Sequence, residues 1–359
     1  MLFYYVIKTY TSCALQHKDL KNTAPTKSWA MLRILKRSEK KNCKSWLRIY
    51  LESNKLARYW NCFPEPYFRF GMFIKGFGNL ELMKTFIPQG AYYKYSKDKD
   101  SRYQVLIDDK ILFHEIMQKN NLPVPDRFFV FQNNVFRREG HRITDQEVDG
   151  IISSINDSRI FIKKYMGGAG SGVTVAVRKD NGFYTIEGVR LSATMIRDTY
   201  QDSNYIFEKQ IIQEKILNQF NPDTVNTIRI LTYKNKPISA AIRFGGKGDF
   251  CDNISKGGVA VNIDLETGEL GEYGMRMYDI KKYYVHPDSH IAFHGVSVPK
   301  WRTVLDVVYK TLEVMPYYNS VGFDIAVTDN GPVIIEINTG AGINLSQMGK
   351  KKGLAEFFL

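Results

Sequence analysis

The stretch that most limits what this chain can become is VGFDIAVTDNGPVIIEIN, residues 321–338. It predicts two short strands joined by a turn at Asp329, Asn330 and Gly331, with Pro332 opening the second strand. Glu336 and Asn338 stand two residues apart, hence on one face of that strand, and a hairpin can bring Asp324 across to the same face. Ile334, Ile335 and Ile337 around Glu336 predict that the strand is buried. Two carboxylates facing a core repel each other and lose hydration unless a cation sits between them. Hard oxygen donors in this number suit Mg²⁺, or Mn²⁺ in its place, with the rest of the shell left to water and substrate phosphates. The alternative is a hairpin whose acids only solvate its edges, and the rest of the chain has to decide between the two.

With 359 residues and 44% hydrophobic content, the chain can bury a large core and is long for one domain. No apolar run approaches the roughly 18 residues of a transmembrane helix. The opening MLFYYVI is short, is followed by Lys8 and lacks a basic leader, which argues against a signal peptide. Cys13, Cys43, Cys62 and Cys251 are scattered without a CxxC pair, so neither a zinc site nor a disulfide framework is expected, and a reducing cytoplasm is.

The formal charge of +13 is unevenly spread. Residues 1–60 hold thirteen Lys or Arg against three Asp or Glu. Within residues 31–60, Met31, Ile34 and Leu35, then Trp46, Ile49, Tyr50 and Leu56, recur at helical steps and predict one or two basic amphipathic helices. Such helices either pack by their apolar side with lysines in solvent, the favoured reading, or dock on an anionic membrane surface, nucleic acid or an acidic carrier. No nucleic-acid signature accompanies the charge, and no nucleic-acid partner is expected.

Residues 61–105 are aromatic and turn-rich, an irregular wrap with a boundary near the charged run at 97–102. YQVLIDDKILFHEIMQKNNLPVPDRFFVF then predicts a short strand, Asp108 or Asp109 as an N-cap, a helix from Lys110 to about Lys119, and a strand after Pro125. A lysine in a first helical turn opposes the helix dipole unless an anionic partner is present. In FIKKYMGGAGSGVTVAV, residues 161–177, an apolar strand carries Lys163 into a glycine-rich loop and a second strand follows. Glycines let backbone N–H groups face a phosphate, while strand–loop–strand order argues against the dinucleotide and Walker loops, both of which need a following helix.

After a helix around residues 190–201, YIFEKQIIQEKIL runs into Gln213, Glu214, Lys215 and Ile216. NTIRILTYKNKPISAAIRFGG predicts a hairpin bearing Asn226, Arg229 and Arg243, with its turn at Lys234 to Pro237. DFCDNISKGG carries Asn253. His286, His290 and His294 fall four apart, but Pro287 and Gly295 predict a loop rather than a metal-binding helix. A helix from about Lys300 to Met315 leads into the opening hairpin.

Taken in order, this set resembles the ATP-grasp superfamily over residues 105–348. Within it, the arginine hairpin, DFCDNISKGG and the GFDI…GP…EIN ending resemble the ribosomal-protein glutamate ligases. NTIR, the HP stretch and GPVIIEIN are similar to the sugar-transfer-associated ATP-grasp group. The resemblance implies an α+β ATP-grasp fold with two lobes clasping ATP, residues 105–212 and 213–359, behind a basic, mainly helical region 1–104. It implies that Lys110 and Lys163 hold ATP phosphates and that Gly168, Ala169, Gly170, Ser171 and Gly172 form a lid. Gln213, Glu214, Lys215 and Ile216 match the adenine-reading hinge, and Asn253 a polar residue near the phosphates. Arg243 matches the arginine on the transferring phosphoryl group, with Arg229 in its cluster or on a substrate carboxylate. Asp324, Glu336 and Asn338 match the magnesium ligands. Two departures stand out: Lys164 replaces the proline usual after the strand lysine, and the first hundred residues lack a βαβ pattern.

The chemistry implied is ATP-dependent carboxylate–amine ligation through an acyl phosphate, with a small or carrier-linked carboxylate and an amine as partners. The sugar-transfer likeness points to cell-surface polysaccharide synthesis, in the cytoplasm or at the inner face of the membrane. Phosphotransfer without ligation, or an inactive nucleotide-binding and membrane-docking module, are the competing readings.

Overall fold

Alternating apolar side chains build two antiparallel sheets, each burying one face under helices. The structure, a computed structural model, describes residues 40–96, 101–166, 172–246, 257–277 and 279–359. Described residues begin with short helices: α1 (Trp46–Trp60), α2 (Glu65–Arg69), α3 (Leu80–Lys84), α4 (Gln89–Ser96), α5 (Val105–Asp108) and α6 (Lys110–Lys119). The stretch 103–107, expected as a strand, is instead a 3₁₀ turn running into α5. Its Ile107 is buried in the core of the second sheet, and a helical turn satisfies its backbone groups locally.

The first sheet comprises β1 (Arg127–Gln132), β2 (Val135–Arg138), β3 (His141–Ile143), β4 (Arg159–Lys164), β5 (Val173–Lys179), β6 (Gly182–Thr185) and β7 (Tyr205–Lys209), ordered β3-β2-β1-β7-β4-β5-β6. Helices α7 (Asp145–Ser154) and α8 (Ala193–Tyr200) cover one face. Thr144 opens α7 with a capping box, its hydroxyl accepting from the Glu147 N–H while the Glu147 carboxylate accepts from the Thr144 N–H. In β4, Ile160 and Ile162 join Phe129, Phe131 and Phe207 under these helices. Phe161 and Lys163, one residue out of phase, line a cleft on the other face. The Lys164 N–H donates to the Gly172 carbonyl at 3.1 Å and closes the base of the glycine-rich hairpin, a bond that a proline there could not make.

The second sheet follows α9 (Lys215–Asn218). It comprises β8 (Ile228–Tyr233), β9 (Lys236–Phe244), β10 (Val259–Ile263), β11 (Leu270–Met275), β12 (Val321–Thr328) and β13 (Gly331–Thr339), ordered β11-β10-β9-β8-β12-β13. Helix α10 (Trp301–Val314) buries Val304, Val308 and Leu312 against Ile230, Ile242, Phe323 and Ile325. Each such side chain contributes roughly 1.5–3 kcal/mol by leaving water. His286 belongs to this core, buried edge-on to Phe220, Phe244 and Phe293.

The opposite face is shared between the cleft and a cover. Along β8 the cleft side chain Arg229 is followed two residues later by Leu231, which lies under Trp60, Ile87, Tyr92 and Phe358. The Gln347 amide of α11 (Ile343–Gln347) clamps Ile87, accepting from its N–H and donating to its carbonyl, both at 2.9 Å. The basic helix α1 thus packs by its apolar side, through Ile49, Leu56, Ala57 and Trp60. Trp46, expected on that stripe, is in phase with Ile49, Ser53 and Leu56 but is the first residue of the helix and stays 46% exposed. Met31, Ile34 and Leu35 lie outside the described residues.

Candidate active site

Where the two sheets face each other they enclose a cleft of about 690 Å³. One wall begins at α6. Asp109 caps this helix, its carboxylate accepting from the N–H groups of Ile111 and Leu112 at 2.9 and 3.0 Å. Lys110 therefore sits in the first turn, at the positive end of the helix dipole. Burial pushes its ammonium pKa down, the nearby Lys163 adds to this, and Glu336 across the cleft opposes it. A polyanion would relieve both penalties at once.

Lys163 on β4 is held by Glu208 on β7, whose carboxylate lies 2.7 Å from the Lys163 Nζ and 3.5 Å from the Arg127 Nε. Glu208 is only 5% exposed. Burial would raise its pKa, but Lys163 and Arg127 together hold it below the usual carboxylate range. Neither Glu208 nor Arg127 was singled out from sequence. The available signal was a lone acid inside the apolar run Tyr205–Lys209, which implies a buried partner.

The second wall is built on register. Asp324 lies directly opposite Arg229 of β8 on one side and Glu336 of β13 on the other. Arg229 grips the Asp324 carboxylate with two donors, Nε at 2.6 Å and Nη2 at 2.8 Å, and the Arg243 Nη2 approaches it at 3.3 Å. Arg243 is oriented in turn by Thr227, whose hydroxyl accepts from its Nε at 3.0 Å. Gly322 leaves room for this arrangement, since a Cβ there would come within 2.4 Å of the Ala341 Cβ and 3.2 Å of the Arg229 Cδ. Burial works to raise the Asp324 pKa, yet the two guanidiniums hold it well below the usual range. Glu336 moves the other way, raised by burial and by the Asp324 charge.

The donor set suits a divalent cation. Asn338 donates from Nδ2 to Glu336 at 3.0 Å and reaches Asp324 at 3.5 Å, so two carboxylates and an amide converge. Glu336 is the carboxylate left without enough positive charge, which a cation beside it would supply. Asp324 has committed two oxygen directions to Arg229 and a third to Arg243, so Glu336 and Asn338 offer the more available ligands.

Lys110, Lys163, Gly172, Arg229, Arg243, Asp324, Glu336 and Asn338 all line this one cleft. Gly168, Ala169, Gly170, Ser171 and Asn253 lie outside the described residues. Gln213, Glu214, Lys215 and Ile216 are not on its wall, which runs instead through Glu208, Lys209 and Ile211. Gln213 is buried as a brace, donating to the Thr224 carbonyl at 2.6 Å and accepting from the Asn226 N–H at 2.7 Å. Glu214 caps α9. β7 ends at Lys209, a break that the unbroken apolar run does not announce.

The family model for sugar-transfer associated ATP-grasp proteins matches residues 91–358. The chain belongs to that family. Among solved structures, this ATP-grasp chain is similar to the ADP complex of N5-carboxyaminoimidazole ribonucleotide synthetase, at 10% identity and a TM-score of 0.40, covering 67% of this chain and 47% of that one. It is similar to D-alanine–D-alanine ligase from Bacillus anthracis, at 15% identity and a TM-score of 0.37, covering 70% and 64%. A RimK domain ATP-grasp protein from Sphaerobacter thermophilus aligns at 12% identity and a TM-score of 0.41, covering 73% and 71%. The chain thus spans less than two thirds of the first two structures. No curated protein matches it. No helix of the described residues is long and apolar enough to cross a membrane.

One pH dependence follows for the ATP-grasp cleft. His114 on α6 is buried with its Nε2 2.9 Å from the Pro125 carbonyl, so the neutral ring donates there. Burial and the nearby Arg127 push its pKa down to about 4. The unfolded chain, with a histidine near about 6.5, then binds more protons than the fold between these values, so stability falls as pH drops through that window. The accumulated loss is about 3 kcal/mol at most. Denaturant midpoints measured from pH 7 to 4.5 should fall more steeply for wild type than for His114→Gln. Parallel curves would remove His114 from the account, leaving other groups such as His286, whose pKa burial also lowers.

Proposed function

We propose that this chain is an ATP- and Mg²⁺-dependent carboxylate–amine ligase acting through an acyl phosphate. The observation that carries the reading is the opposition of two charged walls: Lys110, Lys163 and Arg127 on one side, and Arg229, Arg243, Asp324, Glu336 and Asn338 on the other. Phosphoryl transfer needs positioning and neutralisation of charge more than a protein nucleophile, and this is what the cleft supplies. When bound, Mg²⁺ would be held by Glu336, Asn338 and the open side of the Asp324 carboxylate, and would neutralise substrate phosphate charge.

In this reading a substrate carboxylate oxygen attacks the γ-phosphorus, the bond to the bridging oxygen breaks, and ADP leaves. Lys110 and Lys163 hold the outer phosphate oxygens, and Arg243 follows the charge onto the transferring group. An amine then attacks the acyl carbon and expels phosphate, which carries off the proton that the amine sheds. The glycine-rich hairpin would exclude water, which otherwise hydrolyses the intermediate. The family's sugar-transfer association supports an acid or amine drawn from cell-surface polysaccharide assembly, free or on a carrier.

The test is ATP consumption with Mg²⁺ against pooled amino acids, amines and uronic acids, analysed for ADP and AMP. ADP release that requires both an acid and an amine, and is lost in Lys163→Ala, is the expected result. ADP released with an acid alone, whatever the amine, would replace ligation by simple phosphotransfer. Absence of ATP binding would overturn the proposal.

A further inference from the structure

The geometry points to the solvent face of α1 as a docking surface for an anionic lipid bilayer. This inference is independent of the chemistry in the cleft. Ile49, Ser53, Leu56, Ala57 and Trp60 face the protein. A helix that merely rests on a domain presents a polar opposite face. Here the opposite face and its flank leave Leu47, Leu51 and Tyr59 exposed by 68%, 48% and 48%. Leu47 and Leu51 stand one turn apart, and Lys55 and Arg58, also exposed, continue the same face.

The charge on this face is one-sided. Glu52 is the single acid of α1, and it turns inward to accept from Lys44, Tyr67 and Arg48 at 2.7, 2.9 and 2.8 Å. Arg48 is thereby tied down, while the exposed face keeps the Lys55 and Arg58 charges with no carboxylate of the helix beside them. The sequence leading into α1 extends the positive charge, with ten Lys or Arg against two Asp or Glu in residues 1–45. Leucine and tyrosine interleaved with cations suit the boundary between headgroups and acyl chains, where the apolar groups insert and the long basic side chains reach phosphate. A second copy of the chain would bring the same cations face to face across a twofold axis, which disfavours self-association here.

The test uses the full chain with vesicles of phosphatidylcholine containing phosphatidylglycerol, beside vesicles of phosphatidylcholine alone. Wild type should sediment with the anionic vesicles, weakly with the neutral ones, and less as salt rises. The double variant Leu47→Glu/Leu51→Glu should partition about tenfold less, with its melting temperature and its shift by MgATP unchanged, because both side chains lie in solvent. Lys55→Glu/Arg58→Glu should lose binding similarly and serves if the first variant fails to fold. The proposal would be overturned by no sedimentation of wild type, by equal binding to neutral vesicles, or by undiminished binding by a folded double variant. The last would transfer the interaction to the basic segment preceding α1, and binding of an RNA homopolymer in preference to vesicles would likewise count against it.

Discussion

Replacing Glu336 by glutamine should lower ATP turnover by about a hundredfold or more while leaving the metal-free protein as stable as wild type, or more so. Asp324→Asn should lose both activity and stability. The two carboxylates face each other across the hairpin, so a difference between them has to come from their partners. Glu336 is raised by burial and by the Asp324 charge, so its ionised form opposes folding at neutral pH. Removing that charge relieves the fold but withdraws the carboxylate best placed for a cation. Asp324 is 2% exposed and compensates two guanidiniums. Neutralising it takes from Arg229 the carboxylate that it grips with two donors, and breaking a buried pair in this way costs about 3–5 kcal/mol. Denaturant midpoints with EDTA present, set beside ADP release with Mg²⁺, separate the two effects. Equal midpoints for Asp324→Asn and wild type would mean that the arginine cluster does not depend on that carboxylate.

Glu208→Gln should destabilise the first sheet by a similar amount, about 3–5 kcal/mol, and raise the KM for ATP. The carboxylate sits between Lys163 and Arg127, and glutamine keeps its shape without its charge. Two cations would then share a buried site, and the Lys163 Nζ would be repelled from its place in the cleft. A displacement of about 1 Å can cost a hundredfold in rate. The sign of the pH effect is fixed by the direction of the shift. Because the folded Glu208 pKa is depressed, its stabilisation is present above the unfolded value of about 4.3 and fades as pH falls below it. The gap in stability between wild type and Glu208→Gln should therefore be full at pH 7 and narrow below about pH 4. A gap that stays constant down to pH 3 would mean that the carboxylate acts by packing rather than by charge.

The features legible in the sequence are those set by short-range periodicity. The i, i+2 spacing of Glu336 and Asn338, the Asp109 cap ahead of Lys110, and the phase that separates Lys163 from Ile160 and Ile162 each follow from neighbours a few residues away. The order of these pieces along the chain was enough to carry the family likeness. The sequence did not show that the cleft wall runs through Glu208, Lys209 and Ile211 rather than Gln213–Ile216, because an uninterrupted apolar run hides where a strand ends. The stretch 103–107 became α5 for the related reason that a short apolar segment takes its conformation from what it packs against.

By itself, then, the sequence determined which residues carry charge on which face of each strand, since backbone geometry alternates side chains regardless of context. Only the tertiary structure decided which charges meet. Arg229 and Asp324 are 95 residues apart in sequence, and they pair because β8 and β12 are neighbours in one sheet. Glu208 reaches Lys163 and Arg127 because β7 lies between β1 and β4. The same holds for the N-terminal region, whose basic helices were expected to pack by their apolar side: only the structure shows that Trp60, Ile87 and Tyr92 share a core with Leu231 and Phe358. The half of the second sheet's face that the cleft does not use is apolar, and burying it requires a cover from elsewhere in the chain.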